Sequence, residues 1–250
     1  MPDNNVVVTG ATSGIGLELT KHLLLENYQV TVVGRDHDKY QETVMQWSEH
    51  NARENLCRWI NCDFNDPLVD LQPICDQIPS SIGFVNCAGI LPISPLKMQR
   101  PEQIISAVNV NLLSPILFTR ALLRAGVISR GGSLLFLSSV SGVKTGPKAH
   151  AVYAATKAGI CGLVMSLANE LSSAGIRVNA IAPGTVQSPM LDKTKKLLGD
   201  EAFNSYIKQY PLGIGSPAFL LPMVMLLLDS RASQWITGQT FVIDGGFSLN

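Results

Sequence analysis

The sequence is poor in charge. Asp, Glu, Lys and Arg make up 15% of its 250 residues, 19 acids against 19 bases, so formal net charge is zero. That balance lacks the electrostatic footprint of a nucleic-acid binder. Aromatics are scarce at 6%, and mainly aliphatic side chains bring the hydrophobic share to 46%. A chain of this length and composition can bury a substantial core as one α/β domain, here 1–250. Long apolar runs are missing. The richest, 220–228, contains Pro222 and falls far short of the ~20 residues of a membrane-crossing helix, so no membrane partner is expected. Met1-Pro2-Asp3-Asn4-Asn5 has neither a basic n-region nor an apolar h-region, so no signal peptide is expected. The five cysteines (Cys57, Cys62, Cys75, Cys87 and Cys161) are odd in number and match no zinc or redox spacing. They read as reduced, mostly buried thiols in a cytoplasmic protein, with no metal.

What is present is an alternation of short apolar runs with longer amphipathic ones. Strands are predicted at 6–9, 29–33, 56–61, 82–86, 133–137, 177–181 and 240–243, several of them nearly continuous Val, Ile, Leu and Phe. Such runs suit a parallel sheet covered on both faces. Helices are predicted at 15–27, 38–50, 101–125 and 151–173. The alternation argues a doubly wound α/β sheet. The polar segment 188–210, rich in Lys and Asp, reads as a helical excursion over the open edge, either a substrate lid or a surface hairpin.

Two motifs carry chemistry. The first strand runs into Thr9-Gly10-Ala11-Thr12-Ser13-Gly14-Ile15-Gly16 and then a helix. Glycines permit a sharp turn and close approach to a pyrophosphate, and the helix N-terminus offers N–H groups to it. Far downstream, Tyr153 and Lys157 lie four residues apart in Tyr153-Ala154-Ala155-Thr156-Lys157, one helical face. A phenol beside a fixed ammonium is a plausible acid for a carbonyl under hydride attack. From the residues alone, Ser138, Ser139 or Ser141 could supply a partner hydroxyl, and Asn111 could simply bind backbone.

The long glycine loop together with this pair resembles the short-chain dehydrogenase/reductase family. Further positions agree in order: Asn86-Cys87-Ala88-Gly89, Asn111, Ser139, Pro183-Gly184 and Asp244-Gly245-Gly246. The resemblance covers essentially the whole chain. It implies a Rossmann-type, mostly parallel seven-stranded sheet with helices on both faces. It implies hydride transfer between a nicotinamide and a substrate carbon, with Tyr153 as proton donor and Ser139 bonding the same oxygen. Lys157 would bind the nicotinamide ribose and lower the Tyr153 pKa, and Asn111 would hold a water on the proton route. The implied dinucleotide contacts are Gly10, Thr12, Ser13, Gly14, Ile15, Gly16, Asp63, Phe64, Asn86, Ala88, Gly89, Pro183, Gly184, Val186 and Ser188, with Tyr153 and Lys157. His150 has no place in the motif and reads as a rim residue.

The second strand ends in Val33-Gly34-Arg35-Asp36. NAD enzymes of the family place Asp where Gly34 stands, whereas an arginine accommodates a 2′-phosphate. Arg35, helped by Ser13, therefore points to NADP(H). The tail resembles the 3-oxoacyl-[acyl-carrier-protein] reductase subgroup of fatty acid biosynthesis, implying an acyl-thioester substrate, an acyl carrier protein partner and a homotetramer. Arg130 matches one carrier-docking position, but Ala174 stands at the other. Leu91, Pro92, Ile93, Met190 and Leu191 form an apolar rim that suits an acyl chain or another small-molecule ketone. A non-catalytic dinucleotide-binding sensor is the alternative of another class, and the intact tyrosine, lysine, serine and asparagine argue against it.

Overall fold

A computed structural model describes residues 4–249. Its centre is a seven-stranded sheet in the order β3-β2-β1-β4-β5-β6-β7. The strands are β1 (Asn5–Thr9), β2 (Gln29–Gly34), β3 (Cys57–Asn61), β4 (Ser81–Asn86), β5 (Ile128–Leu137), β6 (Arg177–Pro183) and β7 (Thr240–Ile243). Every pairing is parallel. All seven expected strands are present. β5 starts earlier than its apolar run because an irregularity around Gly131-Gly132 lets Ile128 pair with Ser81.

Side chains alternate between the two faces, so each strand feeds two cores. On one face Phe84, Phe118 and Phe136 meet edge-on, joined by Ile160 and Val164. On the other, Val6 and Val8 pack with Leu19, Leu23, Leu220, Val224 and Leu227. The strand order reverses between β1 and β4, where Thr9 pairs with Asn86. Ligands of such sheets bind in the crevice beyond the strands' carboxyl ends at that point.

Two expected helices contain a wider turn. The 37–50 helix passes through a π segment, Gln41–Met45, and Pro101–Arg124 through another, Asn109–Leu113. Such turns often mark functional positions, and the second holds Asn111. Pro101 opens its helix with Gln103 bonding back to the Arg100 N–H at 3.1 Å. As whole helices, Pro101–Arg124 and Ala151–Glu170 are long and apolar enough to cross a membrane by length and composition, although neither is an unbroken apolar run. Each, however, lays one face on the sheet through Phe118, Leu122, Ile160 and Val164. The short helices Gln72–Cys75 and Leu221–Leu228 were not foreseen. The 188–210 excursion is helical as expected: Pro189–Leu198 and Asp200–Ile207, broken at Gly199 with φ +76°.

Candidate active site

The glycine loop is built for close backbone contact. Gly10 takes φ +67°, and a Cβ there would lie 2.6 Å from the Ala88 nitrogen. A Cβ on Gly16 would collide with the Gly10 carbonyl oxygen. Ser13 caps the Gly14–Leu25 helix with extended backbone and makes no side-chain capping bond, so its hydroxyl is available to a phosphate at the helix N-terminus. Beneath the loop, Thr9 Oγ1 donates to Asn86 Oδ1 at 2.9 Å. The buried Asn86 amide nitrogen has no hydrogen-bond partner among the described residues. A glycine cradle with an unsatisfied amide beside it fits a dinucleotide.

Two connected spaces flank the loop. A cleft of about 980 Å³ runs over Thr12, Ile15, Ser139, Tyr153, Lys157, Pro183, Gly184, Val186 and Ser188. A smaller one of about 350 Å³ holds Arg35, Asp36, Lys39, Asp63, Phe64 and Ala88. Gly10, Thr12, Ser13 and Gly89 line both and form the common wall. In the smaller space Asp36 Oδ1 accepts the Lys39 N–H at 3.0 Å as a helix cap. Arg35 pairs with Asp63 at 3.5 Å across exposed surface. Lys39 is a second cation there that the sequence reading missed. Trp59 is another omission. Its ring stacks near Tyr40, centroids 4.9 Å apart, and a Cβ on Gly34 would come within 3.1 Å of it. Phe64 lines the groove while its ring stands edge-on to Phe118, so much of its role is core packing. Ser188 caps the Pro189–Leu198 helix, accepting the Leu191 N–H.

Of the three serines, Ser138 donates to the Lys157 carbonyl at 2.8 Å. Ser139 is the one whose hydroxyl bonds Tyr153. Ser139 Oγ also accepts the Ser141 N–H at 3.1 Å, which fixes it. Lys157 is 4% exposed, and its Nζ donates to the Leu137 carbonyl at 2.8 Å. Nζ lies 5.7 Å from the Tyr153 ring centroid. Burial lowers Lys157 to about 8. Burial also raises Tyr153, opposed by the Ser139 bond and aided by Tyr206. The expected lowering of Tyr153 by Lys157 is therefore not what the protein environment produces: desolvation of the phenolate outweighs any attraction to the ammonium.

Asn111 is fully buried. Its Oδ1 accepts the Ile90 N–H at 2.8 Å, while Nδ2 donates to the Ile90 carbonyl at 2.9 Å and to Thr156 Oγ1 at 3.3 Å. It clamps the loop that carries Ala88 and Gly89. Both amide protons are engaged within the protein, by the Ile90 carbonyl and by Thr156. His150 stands at the cleft rim, edge-on to Tyr153 with centroids 6.3 Å apart. Leu91, Ile93, Met190 and Leu191 line the cleft as expected, but Pro92 does not.

A parallel doubly wound sheet, a glycine cradle at its switch point and a serine–tyrosine–lysine cluster above it define a dinucleotide-dependent oxidoreductase. The short chain dehydrogenase family matches residues 4–198. Carbonyl reductase family member 4 of Xenopus laevis is 32% identical over 248 residues, 97% of each chain. A 3-oxoacyl-[acyl-carrier-protein] reductase of Chlamydia trachomatis is 31% identical over 248 residues, 98% of each. Among solved structures, a variant of actinorhodin polyketide ketoreductase with NADPH superposes with TM-score 0.89 at 28% identity, covering 99% of this chain and 98% of that one. The chain belongs to the short-chain dehydrogenase/reductase family and is an oxidoreductase acting on CH–OH and carbonyl groups.

Proposed function

We propose that this chain is an NADPH-dependent reductase that converts the ketone of a 3-oxoacyl thioester to a secondary alcohol. The observation that carries the reading is the convergence of Ser139, Tyr153 and Lys157 on one apolar-walled cleft. The dinucleotide, when bound along the glycine loop, supplies hydride to the carbonyl carbon. Tyr153 gives its phenolic proton to the carbonyl oxygen, and Ser139 donates a hydrogen bond to that same oxygen. The raised Tyr153 pKa keeps the phenol protonated at neutral pH, the state a proton donor needs. Lys157 spends one of its three donors on Leu137 and keeps two for ribose hydroxyls. Asn111 holds the Ala88–Ile90 loop against the cofactor side of the cleft.

Arg35 and Lys39 supply positive charge for a 2′-phosphate, while one oxygen of Asp36 is engaged in its helix cap. The NADPH bound to the ketoreductase relative is consistent with that preference. Leu91, Ile93, Met190 and Leu191 give the acyl chain an apolar wall, and one relative carries a 3-oxoacyl-[acyl-carrier-protein] reductase name. Arg130, bonded to the Ser173 carbonyl at 3.3 Å, offers a cation to an acidic carrier protein. Ala174 in place of the second basic residue favours a second reading, a reductase of small free ketones like the carbonyl reductase relative. We read 188–210 as a lid on a single domain, the chain as cytoplasmic with its free thiols, and the assembly as a homotetramer. Assay of acetoacetyl thioesters against a ketone panel with NADPH and NADH tests the reading. Thioester turnover with NADPH preference supports it, and a panel on which only simple ketones react overturns the thioester assignment.

A further inference from the structure

A cluster of hydroxyls lines the same cleft as the acid–base group, and no step above uses it. Tyr206, on the Asp200–Ile207 helix, lines the same cleft as Tyr153. Its hydroxyl contacts Thr185 Oγ1 and, at 2.9 Å, the Tyr210 hydroxyl. Thr185 Oγ1 and the Tyr210 hydroxyl close the triangle at 2.7 Å. The Tyr210 hydroxyl also accepts the Thr185 N–H at 3.2 Å. Phe247 stacks on Tyr210 at 4.5 Å between centroids and meets Tyr206 edge-on.

The capacity of each hydroxyl sorts their roles. A hydroxyl has one proton and two lone pairs. In a closed triangle each member donates once and accepts once. Tyr210, taking the backbone N–H as well, is saturated, and it is only 5% exposed. Tyr206 keeps a spare lone pair and is half-buried against the cleft. It can also turn its proton outward while still accepting from Thr185 or Tyr210, which makes it a supported donor.

We propose that Tyr206 is a positioning residue that donates a hydrogen bond to a second oxygen of the substrate, the carbonyl β to the ketone reduced at Tyr153. This deepens the proposed substrate class and rests on it for the thioester itself, but it extends to any β-dicarbonyl compound. The second bond would fix which face and which carbonyl meet the hydride.

The test compares Tyr206→Phe with the parent enzyme on an acetoacetyl thioester, an acetoacetate ester and a monoketone of similar length. The phenylalanine retains the ring packing on Tyr210 and Phe247. The expected result is a roughly tenfold or greater fall in kcat/KM on both dicarbonyl substrates, as for one lost hydrogen bond of about 1.4 kcal/mol, and less than about twofold on the monoketone. Tyr210→Phe is the structural control: its melting temperature falls while the dicarbonyl-to-monoketone ratio stays at the parent value. An equal loss on all three substrates, or no loss on any, overturns the role of Tyr206. Turnover of the monoketone alone, or of none of the three, overturns it too. Parent turnover of the ester without the thioester refutes the thioester assignment separately, and the ester-to-monoketone ratio then decides on Tyr206.

Discussion

Gly34→Asp places a carboxylate at the position where NAD enzymes of the family carry one, and in this chain it is expected to fail as a cofactor switch. A Cβ on residue 34 would lie 3.1 Å and 3.4 Å from Trp59 ring atoms. Tyr40 packs 4.9 Å away and His37 5.8 Å away between centroids, so a displaced ring gives up these contacts. Overpacking of this kind costs about 1–3 kcal/mol. In a domain of this size each kcal/mol moves the melting point by roughly 2–4 °C, so a fall of about 2–12 °C is expected. Gly34 also accepts the Cys62 N–H at 2.7 Å, which brings the new carboxylate beside Asp63 and into competition for Arg35. NADPH binding should weaken without a matching gain for NADH. Adding Trp59→Leu removes the wall, and the pair should couple by about 0.5–3 kcal/mol in a double-mutant cycle. Melting scans and the NADPH/NADH ratio of kcat/KM read both effects. A single Gly34→Asp variant with an unchanged melting point and a clear NADH preference would refute the steric argument.

Arg35→Ala should raise the NADPH KM by roughly ten- to a hundredfold, the loss of a charge-assisted bond worth ~1.5–3 kcal/mol, and leave the NADH KM within about threefold; steady-state kinetics with both cofactors checks this. Asn111→Ala strands the half-buried Ile90 N–H and C=O and should cost about 2–6 kcal/mol, at ~1–3 kcal/mol for each unsatisfied group, measured by denaturant unfolding. Lys157→Met should abolish turnover yet raise the melting point of the dinucleotide-free protein. The sign follows from burial, which lowers Lys157 to about 8. The unfolded chain then binds more protons between about pH 8 and its own pKa of ~10.4, so stability rises with pH across that window and the buried cation costs most below it. The gain from Lys157→Met is therefore larger at pH 7 than at pH 10.

Strand positions were legible because several of the β-runs are nearly unbroken apolar residues, a pattern that suits a doubly covered parallel sheet. The glycine loop and the Tyr153–Lys157 spacing were legible for a similar reason: their geometry is local and depends on residue type. Local pattern does not encode a change of hydrogen-bond register, so the π turn that carries Asn111 was invisible and the helix read as regular. Desolvation was invisible as well. It depends on what the fold wraps around Tyr153, and it reversed the expected direction of its pKa. Trp59 against Gly34 and Tyr206 against Thr185 are long-range contacts between residues that carry no motif. The dinucleotide groove could be read from the chain, while the substrate wall is assembled by folding.

The proposed reductase chemistry rests on Tyr153 as the proton donor. Removing only its hydroxyl, Tyr153→Phe, keeps the ring beside Lys157 and leaves the glycine cradle untouched. Single-turnover reduction of an acetoacetyl thioester by pre-bound NADPH, with NADPH affinity measured by titration on the same variant, tests it most directly. The expected rate is at least about a thousandfold below the parent's, at the scale of general acid catalysis, with NADPH affinity within about threefold. A variant that binds NADPH normally and still reduces the thioester within tenfold of the parent rate would contradict it.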